Sequence, residues 1–246
     1  MRICRPALLA GIAVCGFWLG AALFFCKGAA LPGKAAYATA WLAAWLFGLH
    51  GKTDFAIACA LSLSAAGDAV GSCHLFLPQL LLFAGAHIAY IAHFLPQAAC
   101  SRRRIAEAAA AGIATTLLLF GRIVPRTGDP VERICVALYG SIITVMLLGV
   151  ILYGGERRRC YLCAALLFVV SDATLAWNRF VAPVSGAEYR IMICYYAAQC
   201  LFALPSLTGC NRRRDMDSPH RPTRFAGTAA DEMQDAAQSN GNASAG

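Results

Sequence analysis

Long apolar runs dominate the sequence and restrict what the chain can fold into. A membrane-spanning helix needs about 20 mostly apolar residues, and only 14% of the residues are charged, against about 25% in a typical soluble domain. The runs are rich in Ala, Leu and Val and lack the alternating pattern of a membrane β-barrel. The sequence therefore predicts an all-α, polytopic transmembrane helical bundle with about eight spans, at roughly 7–25, 35–50, 55–73, 79–98, 106–124, 134–154, 160–180 and 190–208.

The composition changes near Asn211. Residues 1–210 hold the apolar windows and are predicted to form the transmembrane helical domain. Residues 211–246 are rich in Ser, Pro, Gly, Asn and Gln, a composition that predicts a polar, disordered C-terminal tail. The first window follows Arg2 and Arg5, as in a signal peptide, but it shows no clear small-residue cleavage site. We expect it to remain as the first helix.

Clusters of arginine predict the orientation. Arg102–Arg104, Arg157–Arg159 and Arg212–Arg214 fall on one side of the predicted bundle, and positively charged loops stay in the cytoplasm. Both termini are therefore predicted to be cytoplasmic, in a plasma membrane or, in a bacterium, the inner membrane. The basic rim predicts contact with anionic membrane lipid. The arginine runs are too short to predict nucleic-acid binding, and the sequence carries no signal for an oligomeric state.

Several polar side chains interrupt the apolar windows. Ionisable groups inside a membrane are rare and usually face the bundle interior or a wet cavity. Counted at 1.5 Å per residue, six of them on six predicted helices fall in the same, non-cytoplasmic half of the bilayer, and this convergence predicts one polar pocket. The alternative is that each group is a locally satisfied packing element. The six are Lys34, Asp68, His87, Tyr139, Asp172 and Tyr195; Tyr90, Ser171 and Gln199 add uncharged polar groups nearby.

Asp68 and Asp172 are the residues that we expect to carry chemistry. Two carboxyl groups in one low-dielectric site can divide their roles, one as a protonated acid and the other ionised. We predict no metal and no cofactor, although a zinc site of His87 with both aspartates remains an alternative, since zinc needs three converging ligands. No GxSxG elbow of a serine hydrolase occurs. The single CxxC of Cys160 and Cys163 is interpreted as packing.

The motifs that hold these polar residues resemble the lysoplasmalogenase family, also called YhhN-like proteins. The resemblance covers about Lys34 to Leu207, nearly the whole membrane part, and it too implies eight spans. One position departs from the family pattern: the second span begins with Lys34 and Ala35, where the family usually has Lys-Pro. The motifs are LSLSAAGDAV, FAGAHIAY, ALYGSIITVM, LLFVVSD and YYAAQCL, in the family's order and spacing.

The resemblance implies hydrolysis of the vinyl ether bond of a lysoplasmalogen, a lysophospholipid, to a fatty aldehyde and glycerophospho-ethanolamine or -choline. Protonation of the β-carbon gives an oxocarbenium ion that water attacks, so one aspartate would act as general acid. The other would stabilise the cation and activate water, as in the carboxylate pairs of glycosidases. Asp172 is favoured as the acid because apolar residues precede it. Lys34 would meet the phosphate, and the supporting positions are His87, Tyr90, Tyr139, Ser171, Tyr195 and Gln199.

Three other functions compete with this interpretation. A transporter could use the two intramembrane carboxylates to bind protons or cations. Another lipid hydrolase could share the same fold, because a fold alone does not determine a function. A structural membrane protein would use the carboxylates only for packing. Activity in detergent separates these classes, because an enzyme turns over there whereas a transporter needs two compartments.

Overall fold

Eight α-helices make up the described part of the chain. The computed structural model describes residues 5–26, 31–49 and 55–216, and the side chains of 8–48 and 55–208 within them. Those residues contain no strand beyond one isolated bridge between Ala98 and Tyr153, which confirms the all-α prediction. The helices are α1 (Arg5–Phe25), α2 (Tyr37–Leu49), α3 (Phe55–Gly71), α4 (Phe76–Phe94), α5 (Arg102–Leu118), α6 (Pro130–Leu152), α7 (Arg158–Phe180) and α8 (Ala187–Met216).

The helices match the eight apolar windows, but they differ in length. Six helical stretches among the described residues are long and apolar enough to cross a membrane. The 13 residues of α2 and the 17 residues of α3 correspond to about 20 Å and about 26 Å at 1.5 Å per residue. Leu19, Leu81 and Leu117 are 67%, 67% and 66% exposed on outward faces. The protein is an integral, multi-pass membrane protein.

The last helix extends beyond the point where the sequence predicts the C-terminal tail to begin. Helix α8 continues to Met216, past the predicted division at Asn211. The rest of the predicted tail, 217–246, lies outside the described residues, as does the extreme N-terminus at 1–4. The two-part organisation therefore stays a prediction.

Capping residues precede α5 and α6, and irregular turns with a proline follow α5. Ser101 accepts a hydrogen bond from the Arg104 amide at 3.3 Å, and Asp129 accepts one from the Glu132 amide at 2.8 Å, so each caps the helix that follows. After Leu118 the α5 backbone becomes a π-turn over Leu119–Ile123 and a 3₁₀ turn over Val124–Arg126. Pro125 lacks an amide donor and is compatible with this termination.

Glycines allow close approach between antiparallel helices at the start of the bundle. A Cβ at Gly67 would lie 3.1 Å from the Phe83 ring, and one at Gly71 would lie 2.5 Å from the Gln79 amide. The GxxxG of α3 therefore receives side chains of α4, and this contact places Asp68 beside that helix. Gly16 meets Trp41 in the same way between α1 and α2.

Helices α6 and α7 are antiparallel and in a constant register. The Tyr139 hydroxyl bonds to Asp172, and two turns away Glu132 bonds to Arg179. Seven residues separate the two contacts on each helix, which is two turns at 3.6 residues per turn, so both contacts share one face. The start of α6 therefore lies beside the end of α7.

One end of the bundle is filled by aromatic rings, and we call it the closed end. The Tyr90 and Phe202 rings stack at 4.2 Å, and Phe94 lies 4.9 Å from Tyr161. Tyr90, Phe94 and Phe202 are completely buried. Stacked and edge-to-face rings add to the dispersion energy of close packing, and here they join α4, α7 and α8.

Candidate active site

A cavity of about 140 Å³ occupies the other end of the bundle, which we call the cavity end. It lies where α3, α5 and α7 end and where α4, α6 and α8 begin. A volume of this size has room for several water molecules. Most of its wall is apolar, with a few polar groups converging on it, as is typical of a small-molecule site. The polar lining is Asp68, Gln79, Thr115, Tyr139, Thr144, Ser171, Asp172 and Tyr195.

Asp68 is a buried carboxyl group held by two hydroxyls. Its Oδ2 accepts a hydrogen bond from the Tyr195 hydroxyl at 2.7 Å and another from Thr39 Oγ1 at 3.1 Å. Only 6% of Asp68 is exposed, so these donors replace water around the carboxyl group. The contacts tie α3 to α8 and α2 at the wall of the cavity.

Asp172 faces the same cavity from α7. Its Oδ2 accepts a hydrogen bond from the Tyr139 hydroxyl at 2.6 Å. The two carboxyl groups thus have matching arrangements: each lies on a helix that ends at the cavity and bonds to a tyrosine of a helix that begins there. These four residues line one cavity, and their depth in a bilayer stays a prediction.

His87 lies behind the cavity wall. Its ring is 4.7 Å from Phe168 and 5.6 Å from Tyr139, edge-on to both, and it is completely buried. Nδ1 lies 2.7 Å from the Phe83 carbonyl oxygen, so it carries the proton and donates. Among the described side chains, none hydrogen-bonds to Nε2. His87 therefore supports the Tyr139 ring and does not itself line the cavity.

The other predicted supporting residues take different places. Ser171 lines the cavity and donates a hydrogen bond to the Ile191 carbonyl at 3.1 Å, which joins α7 to α8. Tyr90 donates to Gln199 Oε1 at 2.8 Å. That bond joins α4 to α8 below the cavity, where Tyr90 stacks on the rings of the closed end.

Lys34 does not reach the cavity. Its Nζ donates a hydrogen bond to the Cys26 carbonyl at 3.3 Å and lies 5.7 Å from the centre of the Phe24 ring. Both contacts are with the end of α1. The 3₁₀ turn that begins at Lys34 leads into α2, so the residue orders the connection between the first two helices.

A zinc centre finds no support in the arrangement of side chains. Within the described residues, no three His, Cys, Asp or Glu side chains are grouped so that they could hold a metal ion. The alternative of His87 with both aspartates is therefore not favoured. In the CxxC, Cys160 Sγ donates to the Leu201 carbonyl at 3.4 Å, which agrees with a packing role.

Sequence reasoning missed three residues at the site. Thr39 bonds to Asp68, Gln79 lines the cavity against Gly71, and Arg179 lies over the ring of a cavity-lining phenylalanine. Thr39 is a polar residue inside an apolar window, as Asp68 is, and that signal could have identified it. The other two stand near helix ends, where polar residues are common.

Comparison with known proteins covers the part of the chain that forms this site. The profile of the YhhN family matches residues 34–206. The chain belongs to the YhhN family. It is similar to the human lysoplasmalogenase TMEM86A, with 33% identity over 180 residues, 66% of this chain and 73% of that protein. It is also similar to human lysoplasmalogenase TMEM86B, with 32% identity over 167 residues, 66% of this chain and 68% of that protein.

A shorter stretch shows a higher identity. The chain is 52% identical over 40 residues to the lysoplasmalogenase TMEM86B of the pig, Sus scrofa. No solved structure matches the chain. The YhhN-family match includes every residue of the cavity wall, whereas α1 precedes it and the C-terminal end of α8 follows it.

Proposed function

We propose that the protein is a membrane-embedded hydrolase that cleaves the vinyl ether bond of lysoplasmalogens. The observation that carries the proposal is the pair of carboxyl groups, Asp68 and Asp172, on one cavity inside a YhhN-family bundle. Relatives that share about a third of their residues with this chain are lysoplasmalogenases. The substrate is a lysophospholipid, and the products are a fatty aldehyde and a glycerophospho-alcohol.

The reaction needs one acid and one water molecule. A protonated carboxyl group transfers its proton to the β-carbon of the vinyl ether. The double-bond electrons form the new C–H bond, and the α-carbon and ether oxygen become an oxocarbenium ion. The ionised carboxylate stabilises this cation and takes a proton from the water that attacks the α-carbon. The resulting hemiacetal gives its hydroxyl proton to the carboxylate that acted as the acid, and its C–O bond to the glycerol breaks. The glycerol oxygen takes the proton held by the other carboxyl group and leaves as the alcohol, so the aldehyde forms and both carboxyl groups return to their starting states.

We assign Asp172 as the acid and Asp68 as the carboxylate that activates water. Two hydroxyls donate to Asp68 Oδ2, whereas among the described side chains one hydroxyl, that of Tyr139, donates to Asp172. Hydrogen bonds to a carboxylate stabilise its ionised form. Asp68 is therefore the better candidate for the ionised partner.

The tyrosines and the remaining polar residues keep the carboxyl groups in place. Tyr195 and Tyr139 each hold one carboxyl oxygen, which leaves the other oxygen for substrate or water. His87 packs against the Tyr139 ring. Preorganised polar groups of this kind need little rearrangement as charge develops.

The apolar wall suits the hydrocarbon part of the substrate. Leu80, Leu119 and Val136 are among the apolar residues that line the cavity. The π-turn over Leu119–Ile123 supplies two of these lining residues, Leu119 and Ile123, and such turns occur frequently at functional sites. We place the start of the alkenyl chain against this wall.

We further propose that all eight helices cross the membrane, with both termini cytoplasmic. Helices α2 and α3 are short, but a bilayer thins around short spans at modest cost. Trp41, Phe47 and Phe55 are 41%, 50% and 60% exposed, as expected of helices that face lipid. The cavity then opens in the non-cytoplasmic half, and the polar residues 211–246 form a cytoplasmic tail.

The test is aldehyde release from lysoplasmenylethanolamine by the purified full-length protein in detergent. We expect Asp172→Asn and Asp68→Asn each to lower kcat by about a thousandfold or more, because general acid–base groups contribute factors of this order. Asp129→Asn is the matched control. Asp129 is exposed, and asparagine caps a helix as well as aspartate does.

Deuterium labelling of the product tests whether the β-carbon is protonated. In heavy water, protonation of the β-carbon places one deuterium on C2 of the aldehyde, which can be trapped by reduction and read by mass spectrometry. An aldehyde without deuterium would exclude the proposed protonation. No aldehyde from the folded wild-type protein would remove the lysoplasmalogen hydrolase. It would favour first another lipid substrate and then the transporter, which uptake into vesicles would test.

A further inference from the structure

An ion pair stands at the rim of the cavity. Arg179 Nη2 donates to Glu132 Oε1 at 2.7 Å, and the guanidinium lies 3.8 Å above the centre of the Phe76 ring. The Phe180 ring lies next to the Phe76 ring, with its centre 5.4 Å from the guanidinium. Both phenylalanines line the cavity. The pair is therefore the charged edge of an otherwise apolar opening.

Stability alone does not account for this arrangement. The Arg179 and Glu132 side chains are 43% and 24% exposed, and an ion pair that reaches solvent contributes about 0–1 kcal/mol. The two aromatic rings nevertheless hold the guanidinium in one place, because a cation is attracted to a ring face. A guanidinium has five N–H donors, and the bond to Glu132 uses one. The geometry resembles a preorganised binding group.

The rim lies at a defined height above the carboxyl groups. Arg179 follows Asp172 by seven residues on α7, which is two turns and about 10 Å along the axis. Glu132 and Tyr139 repeat this spacing on α6. A lysoplasmalogen has about seven bonds between its β-carbon and its phosphorus, roughly 9 Å when extended at about 1.3 Å per bond. The β-carbon can therefore lie beside Asp172 while the phosphate lies beside Arg179.

The headgroup carries both charges that the rim carries. A phosphodiester is negative and an ethanolamine or choline ammonium is positive, and about four bonds separate phosphorus from nitrogen. Arginine binds phosphate oxygens through two parallel N–H donors. A carboxylate beside it complements the ammonium. A zwitterion can therefore lie alongside the ion pair with each charge facing its opposite.

We propose that Arg179 and Glu132 form the headgroup site of the enzyme, with Arg179 on the phosphodiester and Glu132 on the ammonium of the same lipid. This assignment rests on the proposed function and names its substrate class as the zwitterionic lysoplasmalogens. It also replaces Lys34 as the phosphate-binding residue.

The test is binding of glycerophosphoethanolamine, which has no vinyl ether, to the purified full-length protein by calorimetric titration. We expect the wild type to bind it about tenfold more tightly than glycerol 3-phosphate, which lacks the ammonium. Glu132→Gln should abolish this preference, and Arg179→Gln should weaken both ligands by about tenfold. Glu107→Gln, in the ion pair with Arg158 at the closed end, is the matched control and should change neither.

A charge swap separates recognition from stability. The double variant Glu132→Arg with Arg179→Glu keeps an ion pair but reverses its polarity, so its melting temperature should stay near that of the wild type while affinity falls. Equal affinity in the swapped protein, unchanged affinity in both single variants, or no binding by the folded wild type would each overturn the headgroup site. Because aldehyde release is measured separately, a protein that binds the headgroup without turnover would fault the proposed hydrolysis and not the rim.

Discussion

The two ends of the bundle are built from the same helices and differ in what fills the space between them. At the closed end, Tyr90, Phe94 and Phe202 occupy the interior, and each is completely buried. At the cavity end, Asp68 and Asp172 bond to tyrosines at the edge of an open volume. Aromatic rings fill the interior at the closed end, whereas a cavity remains at the end where we propose that the substrate binds.

Loss of a ring at the closed end should have the largest effect on stability. Phe202→Ala removes a fully buried ring that stacks on Tyr90, and such a change costs about 3–5 kcal/mol in a well-packed core. Denaturant titration of the protein in detergent measures the free energy of unfolding. Phe83→Ala, at the cavity wall, should cost less than half as much, because one side of that ring already faces open space. Equal costs would contradict the contrast between the ends.

Loss of a tyrosine hydroxyl at the cavity should lower turnover. Tyr195→Phe and Tyr139→Phe each remove a hydrogen bond to a carboxyl group, which is worth about 1.5–3 kcal/mol, so kcat should fall by roughly tenfold to a hundredfold. The assay is aldehyde release under saturating substrate. Tyr37→Phe is the control, because that hydroxyl donates to the Pro32 carbonyl away from the cavity. Wild-type turnover in both cavity variants would contradict the proposal that these hydroxyls position the carboxyl groups.

A larger side chain should act differently at the two ends. Ala176 lines the cavity, so Ala176→Phe has space and should lower kcat/KM by about tenfold by blocking substrate, which corresponds to about 1.4 kcal/mol. Ala165 is completely buried on the same helix, so Ala165→Phe should cost about 1–3 kcal/mol of stability through overpacking. Kinetics and thermal melting of both variants read the difference. A destabilised Ala176→Phe with unchanged kinetics would reverse the assignment.

The ion pair at the closed end should matter least. Glu107 bonds to both Arg103 and Arg158 at 2.9 Å, and it is 37% exposed, so solvent screens the pair. Glu107→Gln should change the free energy of unfolding by less than about 1 kcal/mol and leave kcat and KM unchanged. The same two assays check this result. A fall in turnover would show that the two ends are coupled.

The sequence predicts the helices better than it predicts their contacts. Apolar windows and intramembrane polar residues identify all eight helices and bring Asp68, Tyr139, Asp172 and Tyr195 to one level along the bundle, where all four line one cavity. Depth follows from counting residues along a helix. The direction in which a side chain points around the helix axis depends on the neighbouring helices. These helices carry apolar residues on all sides, so the sequence defines no single buried face.

Lys34 and Arg179 illustrate why the direction of a side chain around its helix cannot be predicted from the sequence alone. Both are basic residues near the predicted outer surface, and the resemblance to a family favours Lys34 as the phosphate contact. In the folded chain Lys34 turns to the end of α1, whereas Arg179 stacks on Phe76 at the rim. That stacking depends on the register between α4 and α7, which one sequence does not contain.

The register between α6 and α7 makes this pair of helices a molecular ruler. The two helices share one contact at the rim, between Glu132 and Arg179, and one at the carboxyl group, between Tyr139 and Asp172. Two helical turns separate these contacts on each helix. An insertion or deletion of one residue between the contacts on either helix would rotate one contact by about 100° from the other. A change in chain length is therefore expected to be tolerated only in the loops. In the headgroup site that we propose, the same spacing sets the distance between the phosphate and the carbon that is protonated.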